Sequence, residues 1–444
     1  MDALTFRRLV LTWQKLALNF RRPAPTWQTA ALSWQRPAPT FRRLAPGWQR
    51  LAPGFRREKR WSSTALRWAG CNFPGIFGLL MATYFPTSFM RYLFLLSWLL
   101  GSLPALAQPA ARPVYRNLVM EGGGIRGVAY GGALLELERQ GVLAGLQRVG
   151  GTSAGAIQAA LLAVGYSPQE IVEVVNNTPI QRFNDGRFLF FGGSHRLTRQ
   201  FGWYRGDALT AHIMQLVARK TGNPNLTLQE LHQLAQQQPG RYLDLYTTGT
   251  NLTQQRVQVF SHETNPTLRV ADAVRISMSI PLYFRAVLLD ARGNVIQGKP
   301  QKGQPVQVLV DGGLLANYPV ELFDYPRYLP TQLSASTAPD AAGRVFNPET
   351  LGLRLDRAEQ IACDTLPTGR QELAPYDING FGSYIAALYN LTEETLNPTR
   401  AQDWSRTVSI NTEGFAPKIK RMPDADKQRL MASGRRGVQA FFGR

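Results

Sequence analysis

Three glycine-rich pieces limit what this chain can fold into: Gly122-Gly123-Gly124-Ile125-Arg126-Gly127, Gly151-Thr152-Ser153-Ala154-Gly155 and Asp311-Gly312-Gly313. The first follows an apolar run at 117–120 and precedes a helical pattern with Val128, Ala129, Ala133, Leu134 and Leu137 on one face, which spells strand, turn, helix. Its successive glycines let backbone N–H groups point into one small space, and such a loop at a helix N-terminus binds negative charge. The second piece lies between a run ending in Val149 and a helical stretch at 154–164. Small residues on both sides of Ser153 suit a strand-to-helix elbow, where the backbone closes tightly while Oγ projects. The third ends a strand-like run at 306–310, so Asp311 is expected at a strand's C-terminal end, where open α/β sheets place their sites.

Further strand-like runs at 242–248, 257–260, 351–355 and 407–410 alternate with helical patterns at 208–220 and 424–442, which argues for a layered α/β domain with a largely parallel sheet. A Ser-, Ala-, Thr- and Pro-rich stretch at 331–343 is expected to be a long loop. The same residues admit other readings. A dinucleotide fingerprint at Gly122, Gly124 and Gly127 wants an acid ending the next strand, and here that strand runs into the serine elbow. A Ser-Asp-His triad needs a histidine after the acid, and none follows His262. Tight turns in a metabolic α/β domain are the bland alternative. His195, His212, His232 and His262 share no motif spacing and read as surface or core-edge groups.

At these residues the chain resembles the patatin-like phospholipases, lipid acyl hydrolases that use a serine and an aspartate without histidine. The resemblance covers about residues 115–320 and continues more faintly to the C-terminus. Residues 270–277 with Ile280, Pro281 and Phe284 look like the family's stretch before the aspartate strand, and Asn317-Tyr318-Pro319 fits after it. Gly313 stands where many relatives carry Ala. The resemblance implies a three-layer α/β fold, a largely parallel central sheet flanked by helices, with a catalytic core at 115–323 and residues 324–444 as part of the same domain. It implies Ser153 as nucleophile and Asp311 as general base. Around them it places an elbow of Gly151, Thr152 and Gly155, an oxyanion hole from Gly122, Gly123, Gly124, Ile125, Arg126, Gly127 and Ala154, and an aspartate motif completed by Gly312 and Gly313. The expected substrate is a phospholipid or other lipid ester met at a lipid surface, with no cofactor. The alternatives are acyl transfer by the same dyad and a non-catalytic lipid-binding module. Arg126 reads equally as steadying the loop, facing a phosphate, or making a surface salt bridge.

The N-terminal region is a separate problem. Aromatics recur every seven residues at Phe6, Trp13, Phe20, Trp27, Trp34, Phe41, Trp48 and Phe55. A coiled coil needs two apolar seam positions per heptad and no regular prolines; this stretch has one aromatic and repeated Arg-Pro-Ala-Pro. Residues 1–62 therefore read as a translated tandem repeat upstream of the true start rather than as a membrane or nucleic-acid binding array. Residues 63–89 read as a linker. Met90-Arg91, the apolar run at 92–100 and Ala105-Leu106-Ala107 form a secretory signal at 90–107, implying a secreted or periplasmic protein; an N-terminal membrane anchor is the alternative.

Removing that region changes the charge argument. Residues 1–60 hold 13 Lys/Arg against 2 Asp/Glu and 61–107 add two Arg, so only +7 of the net +20 belongs to the rest, and a nucleic-acid partner loses its main support. With Cys71 in the doubtful region, Cys363 stands alone and no intramolecular disulfide is expected. No Cys/His pair or acidic cluster has metal-ligand spacing, so no metal site is expected. The aromatic- and Arg-rich segment 182–205, with Phe188, Phe190 and Phe191, reads equally as a flap meeting lipid or as a loop and helix buried over the core.

Overall fold

The computed structural model describes residues 114–443 except 179, 187–188, 331–337, 365–372, 398 and 417–420. The aromatic repeat, the linker and the signal segment lie outside the described residues, as does the first part of the expected 331–343 loop.

Strand β1 (Asn117–Met120) passes through a 3₁₀ turn into α1 (Ala129–Arg139), and β2 (Arg148–Gly151) turns sharply into α2 (Ala154–Ala163). Then follow α3 (Pro168–Asn177), α4 (Leu189–Gln200), β3 (Gly202–Tyr204), α5 (Asp207–Thr221) and α6 (Leu228–Gln237). Next come β4 (Asp244–Asn251), β5 (Arg256–Phe260), α7 (Val270–Ser277), β6 (Leu282–Phe284), β7 (Val287–Leu289) and β8 (Gln307–Asp311). The C-terminal part supplies β9 (Thr350–Asp356), α8 (Ala358–Asp364), α9 (Phe381–Leu396), β10 (Thr407–Asn411) and α10 (Asp424–Phe442). The helix starts are written in the sequence: Ser167 and Glu170 form a reciprocal capping box with Pro168 at the first helical position, and Thr227 and Glu230 repeat the box on α6.

The main sheet has the order β10-β9-β1-β2-β4-β8-β7, with β5 also antiparallel along β4. The pairs β10–β9, β9–β1, β1–β2 and β2–β4 are parallel, while the pairs β4–β8 and β8–β7 are antiparallel. The fold is thus α/β with a mostly parallel sheet flanked by helices. Successive side chains of β1 serve opposite faces: Leu118 and Met120 enter the large core with Leu134, Leu137, Leu353 and Ile410, whereas Val119 packs with Tyr246, Phe323 and Tyr328. Both faces of the central strand are therefore covered, which is why β1 reads as an unbroken apolar run rather than an alternating one.

Strands β9 and β10, although late in the chain, occupy the sheet edge beside β1. A buried ion-pair cluster ties them down. Arg406, 2% exposed, donates from both terminal nitrogens to Asp324 (2.6 Å each) and from Nη2 to Asp403 (2.6 Å). It also donates to the Asn347 carbonyl at 3.0 Å. Among the described residues, no helix is long and apolar enough to cross a membrane.

Candidate active site

Ser153 occupies the turn between β2 and α2 with φ 51° and ψ −116°. A non-glycine residue there is strained by about 1–3 kcal/mol and persists only where its surroundings over-determine it. Those surroundings are named. A Cβ on Gly155 would collide with the Met120 carbonyl, so α2 begins closer to β1 than any side chain permits. Thr152 Oγ1 donates to the Ala316 carbonyl (2.7 Å) and meets Thr248 Oγ1 at 2.5 Å. The Ser153 N–H donates to Ser277 Oγ at 3.0 Å.

Register brings the acid to the serine. Gly151 pairs with Thr247 on β4, and Gly249, two residues on, pairs with Asp311. The turn after Gly151 and the Asp311 carboxyl therefore stand at the same height of the sheet, on either side of β4. Asp311 does end its strand, but β8 runs antiparallel, so the carboxyl reaches the C-terminal edge of the parallel strands from outside. Its backbone N–H donates to the Ser279 carbonyl at 2.9 Å. That segment is held by Arg275, which is buried and donates to Ser279 Oγ and to the Arg205 and Arg285 carbonyls.

Asp311 is 5% exposed, and burial pushes its pKa up to about 7, against the opposing pull of the Gly313 N–H, which donates to Oδ1 at 2.8 Å, and of the Ser153 hydroxyl. The Ser153 hydroxyl is directed at Met278 Sδ, 3.4 Å away, while lying near enough to Asp311 to favour its ionised form. The group is thus poised between acid and base at neutral pH.

The glycine loop is fastened on both sides. The Gly122 N–H donates to the Asn317 carbonyl (3.0 Å), and Asn317 Nδ2 donates to Glu121 Oε1 (3.0 Å) and the Gly122 carbonyl (3.3 Å). Glu121, buried, accepts the Leu355 N–H at 2.6 Å. Arg126 is buried and donates from Nε to the Gly123 carbonyl at 3.2 Å; of its three readings, steadying the loop describes the structure, and a surface salt bridge does not. The backbone amides of Gly122 and Arg126 are spent on Asn317 and Gly123 within the protein. Gly124 has φ 54°, the left-handed turn that starts the loop's short helix. A side chain on Gly127 would strike Ala154, so the loop lies directly on the start of α2.

Beside this site opens an apolar cavity of about 860 Å³, its mouth included. Gly124, Ile125 and Ala154 form the wall next to Ser153, and Ile213, Leu216 and Phe183 lie among the residues lining it. The 182–205 segment is divided between the two readings given for it. Phe183 is buried in the cavity wall and Arg196, also buried, donates to the Gly186 and Trp203 carbonyls, while Phe201 is exposed with φ 62°. Phe188 and the side chains of Phe190 and Phe191 lie outside the described residues.

Sequence patterns gave no sign of Glu121, Ser277 or Met278 as neighbours of the site; the only signal for Glu121 is an acid placed directly between an apolar strand and a glycine run. They also missed a histidine pair. His232 and His262 stack with ring centroids 3.7 Å apart at the start of β4, where Asp244 Oδ1 accepts from His232 Nδ1 at 2.7 Å and lies 3.9 Å from His262 Nδ1. Ligand atoms of these three residues lie within 4.8 Å of one another. The fold thus assembles a cluster that spacing along the chain does not show. The rings lie nearly parallel, 7° apart, and His232 Nε2 is met by Gln236 at 2.9 Å.

The fold and site define a class: an α/β protein with a strained serine elbow, a buried carboxyl at the same height, and a glycine loop beside the serine. The model of the patatin-like phospholipase family matches residues 118–324, and the chain belongs to that family. It is 33% identical over 224 residues to the uncharacterized protein YqhO of Bacillus subtilis (strain 168), covering 49% of this chain and 69% of that one. To the "probable lipid hydrolase 463L" of Invertebrate iridescent virus 6 it is 23% identical over 209 residues, covering 47% and 63%. The chain spans 61–69% of the lengths of the curated relatives it matches. Among solved structures, VipD from Legionella pneumophila matches with a TM-score of 0.45 and 17% identity, covering 74% of this chain and 67% of that one.

Proposed function

We propose that this chain hydrolyses carboxylic ester bonds of lipids through a Ser153 acyl-enzyme with Asp311 as general base. The observation that carries the reading is the pairing of a strained, buried serine with a buried carboxyl whose proton affinity is raised towards neutrality, beside an apolar cavity whose wall includes Ala154 and Met278. Family membership supports lipid hydrolysis in general, as does the name of the viral relative.

Ser153 Oγ attacks the ester carbonyl while its proton passes to the Asp311 carboxylate. The developing oxyanion is met by backbone N–H groups of Gly123, Gly124 and Ile125, with Ala154 at the helix start. As the tetrahedral adduct collapses, the C–O bond to the leaving alcohol breaks and that alcohol takes the proton from Asp311. Water then adds to the acyl-enzyme, giving its proton to Asp311, and breakdown returns that proton to Ser153 as the fatty acid leaves. The cavity wall excludes water from the acyl chain and leaves the reacting carbonyl at the elbow.

The test is product analysis by mass spectrometry on phospholipid, lysophospholipid and neutral glyceride vesicles with the wild type, Ser153→Ala and Asp311→Asn. Each single change is expected to cost about three powers of ten or more, and the double change little beyond either alone, as for groups acting as a unit. Free fatty acid released at the wild-type rate by folded Ser153→Ala would refute the reading.

A further inference from the structure

Two large apolar side chains stand in water close to the cavity, on backbone that their residue types avoid. Phe201 is 51% exposed with φ 62°, and Leu282 is 61% exposed with φ 66°. For a bulky residue that region of φ is costly and is kept only where the surroundings impose it. Both residues belong to one ribbon. Strand β3 pairs in parallel with β6, Gly202 opposite Leu282 and Tyr204 opposite Phe284, so Phe201 and Leu282 share one end of it with exposed Pro281. A Cβ on Gly202 would collide with the Phe284 carbonyl, so the two strands close tightly. The Tyr204 and Tyr283 rings lie 4.9 Å apart, the Tyr283 hydroxyl donates to Asn184 Oδ1 at 2.7 Å, and Arg196 Nε donates to the Trp203 carbonyl at 3.0 Å, which braces the ribbon. Leu282 falls between Ile280 and Phe284, which both line the cavity, so the exposed tip is continuous with the cavity wall.

The same stretch of chain is basic. Residues 180–206 hold five Arg against one Asp. That acid, Asp185, is committed to the N–H groups of Gly206 and Ala208. Arg182, Arg199 and Arg205 are exposed and have no acidic partner among the described residues, whereas Arg285 is paired with Asp207 at 2.8 Å. Exposed apolar anchors beside uncompensated cations suit a partner that is anionic at its face and hydrocarbon beneath. A protein partner needs about 800 Å² of matched surface on each side, and two large side chains with one proline fall well short of that.

On the reading of this chain as a lipid hydrolase, we propose that the β3–β6 ribbon docks on an anionic lipid bilayer, with Phe201 and Leu282 entering the acyl boundary and Arg182, Arg199 and Arg205 meeting headgroup phosphates. The substrate is then a lipid of a negatively charged surface. Its acyl chain passes from the bilayer past Leu282 to the cavity along apolar surface, without crossing water. Phe201 and Leu282 act on surface binding and not on the reacting carbonyl, so their signature is a difference between vesicle and soluble substrates.

The experiment floats the full chain carrying Ser153→Ala with vesicles of phosphatidylcholine alone and of phosphatidylcholine with about a third phosphatidylglycerol. Binding is expected to be about tenfold tighter or more to the anionic vesicles, and to weaken as salt rises. Phe201→Asn with Leu282→Asn removes the apolar tip and supplies a residue type that tolerates this backbone. That pair should weaken binding about a hundredfold, tenfold for each side chain, without lowering the melting temperature. Both proteins carry the same N-terminal repeat, so the difference between them reports the ribbon. Arg199→Gln with Arg205→Gln should remove most of the preference for anionic vesicles. In the chain with Ser153 restored, the Asn pair should lose hydrolysis of vesicle lipid while keeping that of a soluble short-chain ester. Vesicle binding by the folded Asn pair equal to that of its parent overturns the proposal, as does equal binding of the parent to both kinds of vesicle. A parent that is dimeric in solution and becomes monomeric in the Asn pair also overturns it, since a second copy would then cover the ribbon. If Ser153→Ala releases fatty acid like the wild type, the nucleophile reading falls, while flotation still decides for or against the ribbon.

Discussion

Replacing Asp311 by Asn should stabilise the fold at neutral pH while abolishing turnover, and the structure gives the size of the effect. The carboxyl's pKa rises from 3.8 to about 7 because it is buried. In the unfolded chain the group ionises near 3.8, but in the folded protein it keeps its proton until about 7. The folded state therefore binds the extra proton, so this group's contribution is fully present below pH 3.8 and is lost as pH rises towards 7. About 3 pKa units at 1.36 kcal/mol each is roughly 4 kcal/mol, an upper figure because the unfolded chain is not fully solvated. Asparagine has no proton to lose and can still accept the Gly313 N–H now given to Oδ1. The body from Pro104 to Arg444 has an unfolding entropy of about 0.7 kcal/mol/K, so the variant should melt about 5 °C above the wild type near pH 8, with little difference near pH 4. Thermal melts across that range, with hydrolysis measured in parallel, provide the assay. The kcat/KM of the wild type should rise about tenfold per pH unit up to about 7 and then level. An Asn variant that melts no higher than the wild type at pH 8, or an activity profile that levels near pH 5, would refute the assignment of a neutral-range pKa to Asp311.

Other parts of the structure make equally specific demands. Gly155→Ala would force α2 away from the Met120 carbonyl, so a loss of about 2 kcal/mol or more is expected by chemical denaturation, with activity falling more than stability because the elbow moves with the helix. Arg406→Met leaves Asp324 and Asp403 buried without their partner, and should lower stability by about 3–5 kcal/mol; adding Asp324→Leu should recover part of it, which a denaturant titration of both proteins will show. His195→Ala, His232→Ala and His262→Ala should each retain hydrolysis within about threefold, because the proposed proton acceptor is a carboxylate; loss of activity in any one of them, with its fold intact, would favour a histidine-assisted mechanism.

Much of this protein is fixed locally. The strand at Asn117–Met120 and the helix at Asp424–Phe442 lie where periodicity puts them, because a buried parallel strand must be apolar on both faces and a covering helix on one. The serine elbow was legible for a similar reason: Gly151, Ala154 and Gly155 leave room that any larger side chain would fill, and that constraint is written within five residues. What remained illegible depends on partners far along the chain. That β8 runs antiparallel, and so delivers Asp311 beside β4 from the outer side, is decided by pairing with Gly249, not by the composition of residues 307–311. The proton affinity of Asp311 is set by the burial that the whole fold imposes, and the same residue in an exposed strand end would ionise near 4. The Glu121–Asn317 clasp and the His232–His262 stack join residues up to 196 positions apart, and the apolar cavity exists only once α2, α3 and α5 enclose a common space. Steric demands between neighbours along the chain leave a trace in sequence, whereas desolvation and long-range pairing come into being only with the packed structure.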